Sequence, residues 1–309
     1  MSTDTISDCQ VLVTGGGGFI GSHLASALAA DNRVRVLDDF STGRRANLPE
    51  DVTVIEGDVR DEQTVDAAMD DVDVVFHEAA MVSVPESVEQ PVDCHELNGT
   101  ATVDVFDCAR RHDARVVFAS SAAVYGTPDV VPISEDAPTG PNSPYGFEKH
   151  LGEQYARFYT EQYGLPTVPL RYFNVYGPRG LDGEYAGVIG TFVRQAQAGE
   201  PLTVEGDGEQ TRDFVHVDDV VRANLLAATT DAVGRPFNVG TGRSSSINEL
   251  AETVRDVVGS DIAINHVPGR TNDIEQSEAD LGDARELLGY EPTMSLRDGL
   301  EATLDAEQT

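Results

Sequence analysis

Val11-Leu12-Val13-Thr14-Gly15-Gly16-Gly17-Gly18-Phe19-Ile20-Gly21-Ser22-His23-Leu24 decides the fold of this chain. Val11 to Val13 is a short apolar run, the pattern of a buried strand. Glycines stand at positions 15, 18 and 21, and Leu24, Leu28 and the neighbouring alanines then recur on one helical face. Strand, glycine turn and helix in that order read as a pyrophosphate-binding turn. Glycine lets the backbone turn tightly, lets a phosphate approach main-chain N–H groups, and lets the helix pack on the strand. The helix N-terminus adds unpaired N–H groups and the positive end of its dipole.

Outward from this turn the pattern repeats. Val34-Arg35-Val36-Leu37 reads as a second strand, ending at Asp38-Asp39. Asp38 lies about twenty residues past the glycines, where a carboxylate accepts hydrogen bonds from an adenosine ribose and repels a 2′-phosphate. NAD is therefore expected over NADP. Further apolar runs at 52–55, 72–76, 115–119 and 168–172 read as strands. The fourth ends in His77-Glu78-Ala79-Ala80, where small residues leave room for a cofactor and His77 reads as a satisfied core histidine. Residues 92–111 and 145–163 read as helices.

This alternation predicts a doubly wound parallel Rossmann-type sheet. Past residue 175 the pattern loosens into a helix near 187–198, a strand at 202–204, a helix at 217–228, a strand at 237–239 that returns to the main sheet, and closing helices near 247–258 and 280–288. The expected division is an NAD-binding domain over 1–174 with about 213–240. A smaller, mixed α/β substrate-binding domain at the C-terminal side takes 175–212 and 241–309.

Fifty-four acids face 21 bases, for a net charge of −33 in 309 residues. The acids are spread along the whole chain, and apolar periodicity persists throughout, which argues against disorder. Self-repulsion of this size destabilises a compact state unless salt screens it, so a halophile's cytoplasmic protein is expected. Nucleic acid and anionic membranes should repel it. No apolar run approaches the roughly 20 residues of a membrane helix. Met1 to Gln10 lacks the pattern of a signal peptide. Cys9, Cys94 and Cys108 have no metal-like spacing and read as reduced thiols, and no metal is expected.

Among the bases Lys149 is the only lysine. It follows Tyr145 by four residues, so the two share a helical face. A tyrosine has a free pKa of ~10, too high for a base near neutrality. A neighbouring ammonium and a cationic nicotinamide both favour its phenolate. Ser121, at the end of the fifth strand, can donate to a sugar oxygen and relay a proton. Ser121, Tyr145 and Lys149 are the expected catalytic residues.

Thr14-Gly15-x-x-Gly18-x-x-Gly21, Ser121, Tyr145-x-x-x-Lys149 and Arg171-Tyr172-Phe173-Asn174 together resemble the extended short-chain dehydrogenase/reductase family, and within it the UDP-glucose (UDP-galactose) 4-epimerases. The resemblance runs from Val11 to about Pro292. It implies NAD contacts at Gly15, Gly18, Phe19, Ile20, Gly21, Asp38, Asp58, Val59, Ala79, Ala80, Tyr145, Lys149 and Phe173, with Lys149 on the nicotinamide ribose. It implies contacts with a UDP-sugar substrate at Ser83, Ser121, Tyr145, Asn174, Val188, Arg212, Arg270 and Ser277, the two arginines on the diphosphate. It also implies a homodimer paired through the helices near 92–111 and 145–163. Two features depart from the family: His95-Glu96-Leu97-Asn98 precede Gly99-Thr100 where Asn is usual, and Glu78 stands where Leu, Phe or Gln is commoner.

The reaction implied is epimerisation at C4 of a UDP-hexose, by oxidation to a 4-keto sugar and re-reduction from the other face. A related dehydratase or decarboxylase is the alternative, but those enzymes carry acidic residues after the catalytic Ser or Thr, and here Ala122-Ala123 follow. A catalytically silent dinucleotide-binding regulator would be expected to lose Tyr145 or Lys149. Ser277, seven residues past Arg270, stands where a Tyr in the family walls the sugar pocket, so N-acetylated sugars are expected to be accepted.

Overall fold

The computed structural model describes residues 6–181, 186–259, 261–269 and 274–307. Thirteen strands and ten α-helices are described. The strands are β1 (Gln10–Thr14), β2 (Arg33–Asp38), β3 (Thr53–Glu56), β4 (Val74–His77), β5 (Arg115–Ser121), β6 (Thr167–Tyr172), β7 (Asn174–Tyr176), β8 (Leu202–Glu205), β9 (Thr211–Arg212), β10 (Phe214–His216), β11 (Phe237–Val239), β12 (Ser245–Ser246) and β13 (Ile264–Val267). The helices are α1 (Phe19–Leu28), α2 (Glu62–Ala68), α3 (Val84–Glu89), α4 (Pro91–Cys94), α5 (Ala101–Arg111), α6 (Pro144–Tyr163), α7 (Gly187–Ala198), α8 (Val217–Ala227), α9 (Ile247–Val258) and α10 (Leu296–Glu307).

Seven strands form one parallel sheet in the order β11-β6-β5-β4-β1-β2-β3. Alternation along each strand feeds two cores. Val11 and Val13 enter the core under α1 and α8, while Leu12 enters the core under α2, α5 and α6. The order reverses between β1 and β4, so their carboxyl ends flank a crevice, the usual ligand position in such sheets. The returning strand 237–239 joins the sheet edge beside β6, as its pattern predicts.

A third core gathers α7, α9, α10 and β8 around Phe192, Leu202, Leu250 and Leu300. Ala279, Leu281, Ala284, Leu288 and Tyr290, from the segment expected to lie in the second domain, pack instead into the first core.

The helix expected near 280–288 is present over 282–288, π-type over Ala284–Leu288, and Gly289 stops it at φ +70°. One expectation for the C-terminal part is corrected: the chain closes on α10, not on that helix. Leu296, Leu300 and Leu304 give α10 its buried face at i, i+4 spacing, a signal diluted by the acidic residues around it. The helix expected over 92–111 is α4 and α5 joined by a π-helical turn at His95–Thr100.

Candidate active site

The glycine turn is built as expected. α1 begins after Gly18 with no side-chain cap, which leaves its first N–H groups, at Phe19 and Ile20, for an anion. Gly15 has φ +68°, and a Cβ there would stand 2.6 Å from the Ala79 backbone nitrogen, so no other residue fits. Gly21 packs its backbone on Gly15 and lets helix and turn meet. Asp38 Oδ2 accepts the Gly17 N–H at 2.8 Å and Oδ1 accepts the Phe40 N–H at 2.8 Å, which aims the carboxylate into the cleft. Gly15, Gly18, Asp38, Asp58, Val59, Ala79 and Ala80 line one continuous groove. An uncapped helix end, a glycine-floored turn and a fixed carboxylate beyond it suit a dinucleotide's pyrophosphate and ribose. Phe19 lies off this groove, its ring against Gly180.

The groove runs into a second cleft of about 270 Å³, lined by Ile20, Ser121, Tyr145, Lys149, Phe173, Asn174 and Val188 among others. Ser143 caps α6 by accepting the Gly146 N–H, and Pro144 opens the helix. The helix thus presents Tyr145 and Lys149 one turn apart to the end of β5. Ser121 lies near enough to Tyr145 to pull on its phenol, and its hydroxyl accepts the Ala123 N–H at 3.1 Å. Lys149 Nζ donates to the Ala119 carbonyl at 2.7 Å and lies 5.8 Å from the Tyr145 ring centre. Burial pushes the Tyr145 phenol up to about 12, against the pull of Ser121. Burial also brings the Lys149 ammonium down to about 8, while the Glu78 carboxylate pulls it back up. Tyr145 therefore needs nearby positive charge to act as a base, and Lys149 stands where it supplies some.

Beneath the trio, Arg171 and Glu153 pair within the core. Arg171 also donates to the Tyr125 hydroxyl at 2.7 Å and the Glu135 carbonyl at 2.9 Å, and Ser120 donates to Glu153 at 2.6 Å. Tyr125 donates on to Asn238 of β11 at 2.7 Å. This network ties β5, β6, α6 and β11 under the cleft. His77 is a satisfied core histidine, bonded to Thr14 at 2.7 Å and Thr102 at 3.0 Å. Asn98 of the π turn clamps both the N–H and the carbonyl of Met81, each at 2.8 Å, and so sets the segment that follows β4. His95 pairs with Glu148 on the outer side of α6, away from the cofactor groove.

A further cleft, shared through Asn174 and Val188, is lined by Thr203, Glu205, Gln210 and Arg212. Arg212 Nη1 donates to the carbonyls of Thr211 and Ile274, both at 2.7 Å. Two expected substrate residues are placed elsewhere. The Ser83 hydroxyl caps α3 by accepting the Glu86 N–H at 3.2 Å, and Val82 takes its place on the cleft wall. Ser277 is buried, with its N–H on the Thr211 carbonyl, off the lining of these clefts. Arg270 lies outside the described residues. Sequence reading passed over Tyr172, whose hydroxyl reaches Glu78, and over Glu205. The alternation of β8, with Leu202 and Val204 inside, was the signal for Glu205.

A dinucleotide groove that opens onto a cleft walled by Ser121, Tyr145 and Lys149 suits an oxidoreductive enzyme acting on an alcohol. Residues 11–240 match the NAD dependent epimerase/dehydratase family, and the chain belongs to that family. NAD is accordingly its cofactor. The chain is 38% identical over 320 residues to a UDP-glucose 4-epimerase of Azospirillum brasilense, covering 97% of this chain and 92% of the relative. The structure matches that of a UDP-N-acetylglucosamine 4-epimerase from Methanobrevibacter ruminantium in complex with UDP-N-acetylmuramic acid, with TM-score 0.94 and 38% identity over 98% of this chain and 100% of that one. It also matches a UDP-glucose 4-epimerase from Thermotoga maritima with UDP-glucose, with TM-score 0.93 and 37% identity over 97% and 98% of the two chains.

Proposed function

We propose that the protein interconverts UDP-hexoses epimeric at C4, with UDP-glucose and UDP-galactose as one pair and their N-acetyl forms as another. The observation that carries this reading is the meeting of Ser121, Tyr145 and Lys149 on the wall of one cleft continuous with the dinucleotide groove. Tyr145 takes the proton of the C4 hydroxyl. Bound NAD supplies the hydride acceptor and later the hydride donor. Lys149 stabilises the phenolate, and Ser121 holds the oxygen at C4 while Tyr145 returns the proton. A dehydratase or decarboxylase needs a further acid or base. Ala122 and Ala123, which follow Ser121 in a 3₁₀ turn, offer none, and the one carboxylate lining the cleft among the described residues, Glu78, is bonded to Tyr172.

The test is incubation of the purified protein in molar KCl with UDP-glucose, UDP-galactose and the N-acetyl analogues. Interconversion within a pair is expected; loss of water or carbon dioxide from a UDP-sugar would overturn the reading.

Arg212 and Arg270 are assigned to the diphosphate, and Asn174 and Val188 to the sugar side. The working form is a homodimer in a salt-rich cytoplasm. Val88, Val92, Phe147 and Phe158 are exposed on α3, α4 and α6, an apolar face that a second copy would cover. Light scattering that shows a monomer at micromolar concentration excludes the dimer. A thermal melt unchanged between dilute buffer and molar KCl excludes dependence on salt.

A further inference from the structure

Glu78 has no part in the epimerisation described above, yet it occupies the junction of the site. It lines both the cofactor groove and the sugar cleft. It is 7% exposed. Its backbone N–H donates to the Thr14 carbonyl at 3.1 Å, beside the glycine turn. Its Oε1 accepts the Tyr172 hydroxyl at 2.8 Å, and Asn224 of α8 holds that hydroxyl with a second bond at 2.8 Å. The carboxylate is therefore fixed by a strand and, through Tyr172, by a helix. Lys149 and Tyr145 face the same cleft from α6, while His77, its neighbour on the strand, is engaged by Thr14 and Thr102.

A buried charge of this kind is costly unless another charge answers it. Lys149 is one such charge. The proposed reaction supplies a second. Base and hydride acceptor work on the same carbon, so the nicotinamide belongs beside Tyr145, at the junction Glu78 occupies. The oxidised ring carries a positive charge and the reduced ring does not. A fixed carboxylate there stabilises the oxidised form more.

We propose that Glu78 is the counter-charge of this site: it keeps Lys149 an ammonium and biases the protein toward binding the oxidised cofactor. The hydride removed from C4 goes back to C4, so each complete cycle ends with the cofactor oxidised. Glu78 makes that end state the favoured one and disfavours release of a keto sugar with the hydride left behind. Glu78 acts here as a positioning residue, through charge and not through contact with the sugar.

The inference rests on the proposed reaction for the place of the nicotinamide, and the experiment separates the two. Holoenzyme is equilibrated in molar KCl at pH 7.5 with mixtures of NAD⁺ and NADH, desalted, and the bound ratio read by absorbance and fluorescence. Glu78→Gln keeps an oxygen for Tyr172 and removes the charge; its bound NAD⁺:NADH ratio should fall on the order of tenfold below wild type. Glu78→Asp keeps the charge and should stay within roughly threefold of wild type. A Gln variant with the wild-type ratio, or an Asp variant with the Gln variant's ratio, overturns the proposal. Loss of packing alone would weaken both cofactor forms together and leave the ratio unmoved, which counts against it. Tyr145→Phe serves as the control: full turnover in that variant overturns the reaction, whereas the ratio reads Glu78.

Discussion

Arg171 and Glu153 meet in a two-point ion pair beneath the active site, Nε to Oε1 and Nη2 to Oε2, both at 2.8 Å. Both side chains are nearly sealed from solvent, at 5% and 3% exposure. Glu153→Gln leaves the guanidinium uncompensated in the core. A loss of about 3–5 kcal/mol is expected, read as a shift in urea midpoint in molar KCl. Pairing it with Arg171→Met removes the orphaned charge and should restore much of the loss. A single variant as stable as wild type would show that the pair contributes little.

Tyr145→Phe removes the proposed base but keeps the ring. Turnover should fall by at least about a thousandfold, with NAD still bound and the melting temperature within a few degrees. Lys149→Arg keeps a charge but not its shape, since a planar guanidinium does not fit the single short bond to the Ala119 carbonyl. Initial rates with UDP-galactose decide both, and retained activity in the Phe variant would end the mechanism.

Asp38 predicts the cofactor's form. A 2′-phosphate would meet a carboxylate already fixed by the Gly17 and Phe40 N–H groups. NAD should bind at least about tenfold more tightly than NADP by calorimetry. Asp38→Gly should narrow the gap.

His77 gives the fold a pH dependence. Burial pushes its imidazole down to about 3, whereas in the unfolded chain it takes up a proton near 6.5. Its folded pKa is depressed, so its contribution to stability is complete above 6.5 and is lost as pH falls from there toward 3. Glu78 runs the other way. Its carboxyl is pushed up to about 7 by burial, so the stability it contributes is present below its unfolded value of 4.5 and is lost as pH rises through 7. The two neighbours oppose each other between 4.5 and 6.5. His77→Gln should therefore make the urea midpoint fall less steeply on acidification than in wild type. Parallel slopes in the two proteins would refute the assignment.

Ser277 is buried, with its N–H on the Thr211 carbonyl of β9, so a phenol ring there must displace its neighbours. Ser277→Tyr is expected to lose turnover of UDP-N-acetylglucosamine and to keep that of UDP-glucose. Equal loss of both would mean that β9 had moved and that Ser277 is no gate.

Much of the sheet, and the meeting of Ser121, Tyr145 and Lys149 in one cleft, was legible because each depends on local spacing. A glycine turn between a strand and a helix, and a Tyr four residues before a Lys, carry their geometry within one or two turns of chain. The substrate side was less legible because it depends on distant parts. Ser83 looked like a contact, but a local N–H of α3 claims its hydroxyl. Ser277 was judged by its distance from Arg270, while the bond to Thr211 decides where it sits. Glu78 was visible as an odd residue at the end of an apolar strand, but its partner Tyr172 is 94 positions away. The C-terminal helix was hidden by acidic residues that its buried leucines outweigh.

The chain does not finish the sheet and then build a second lobe. It leaves after β6, comes back for α8 and β11, leaves again for α9, returns at Ala279–Tyr290, and departs a last time for α10. A lobe hung on one strand can swing like a door. One laced to its neighbour by so many passes resists swinging, because every pass would have to yield together. The sugar cleft takes its walls from both sides of this lacing, Tyr145 and Lys149 on one and Val188 and Phe214 on the other, so it should keep its width while a sugar turns over inside it.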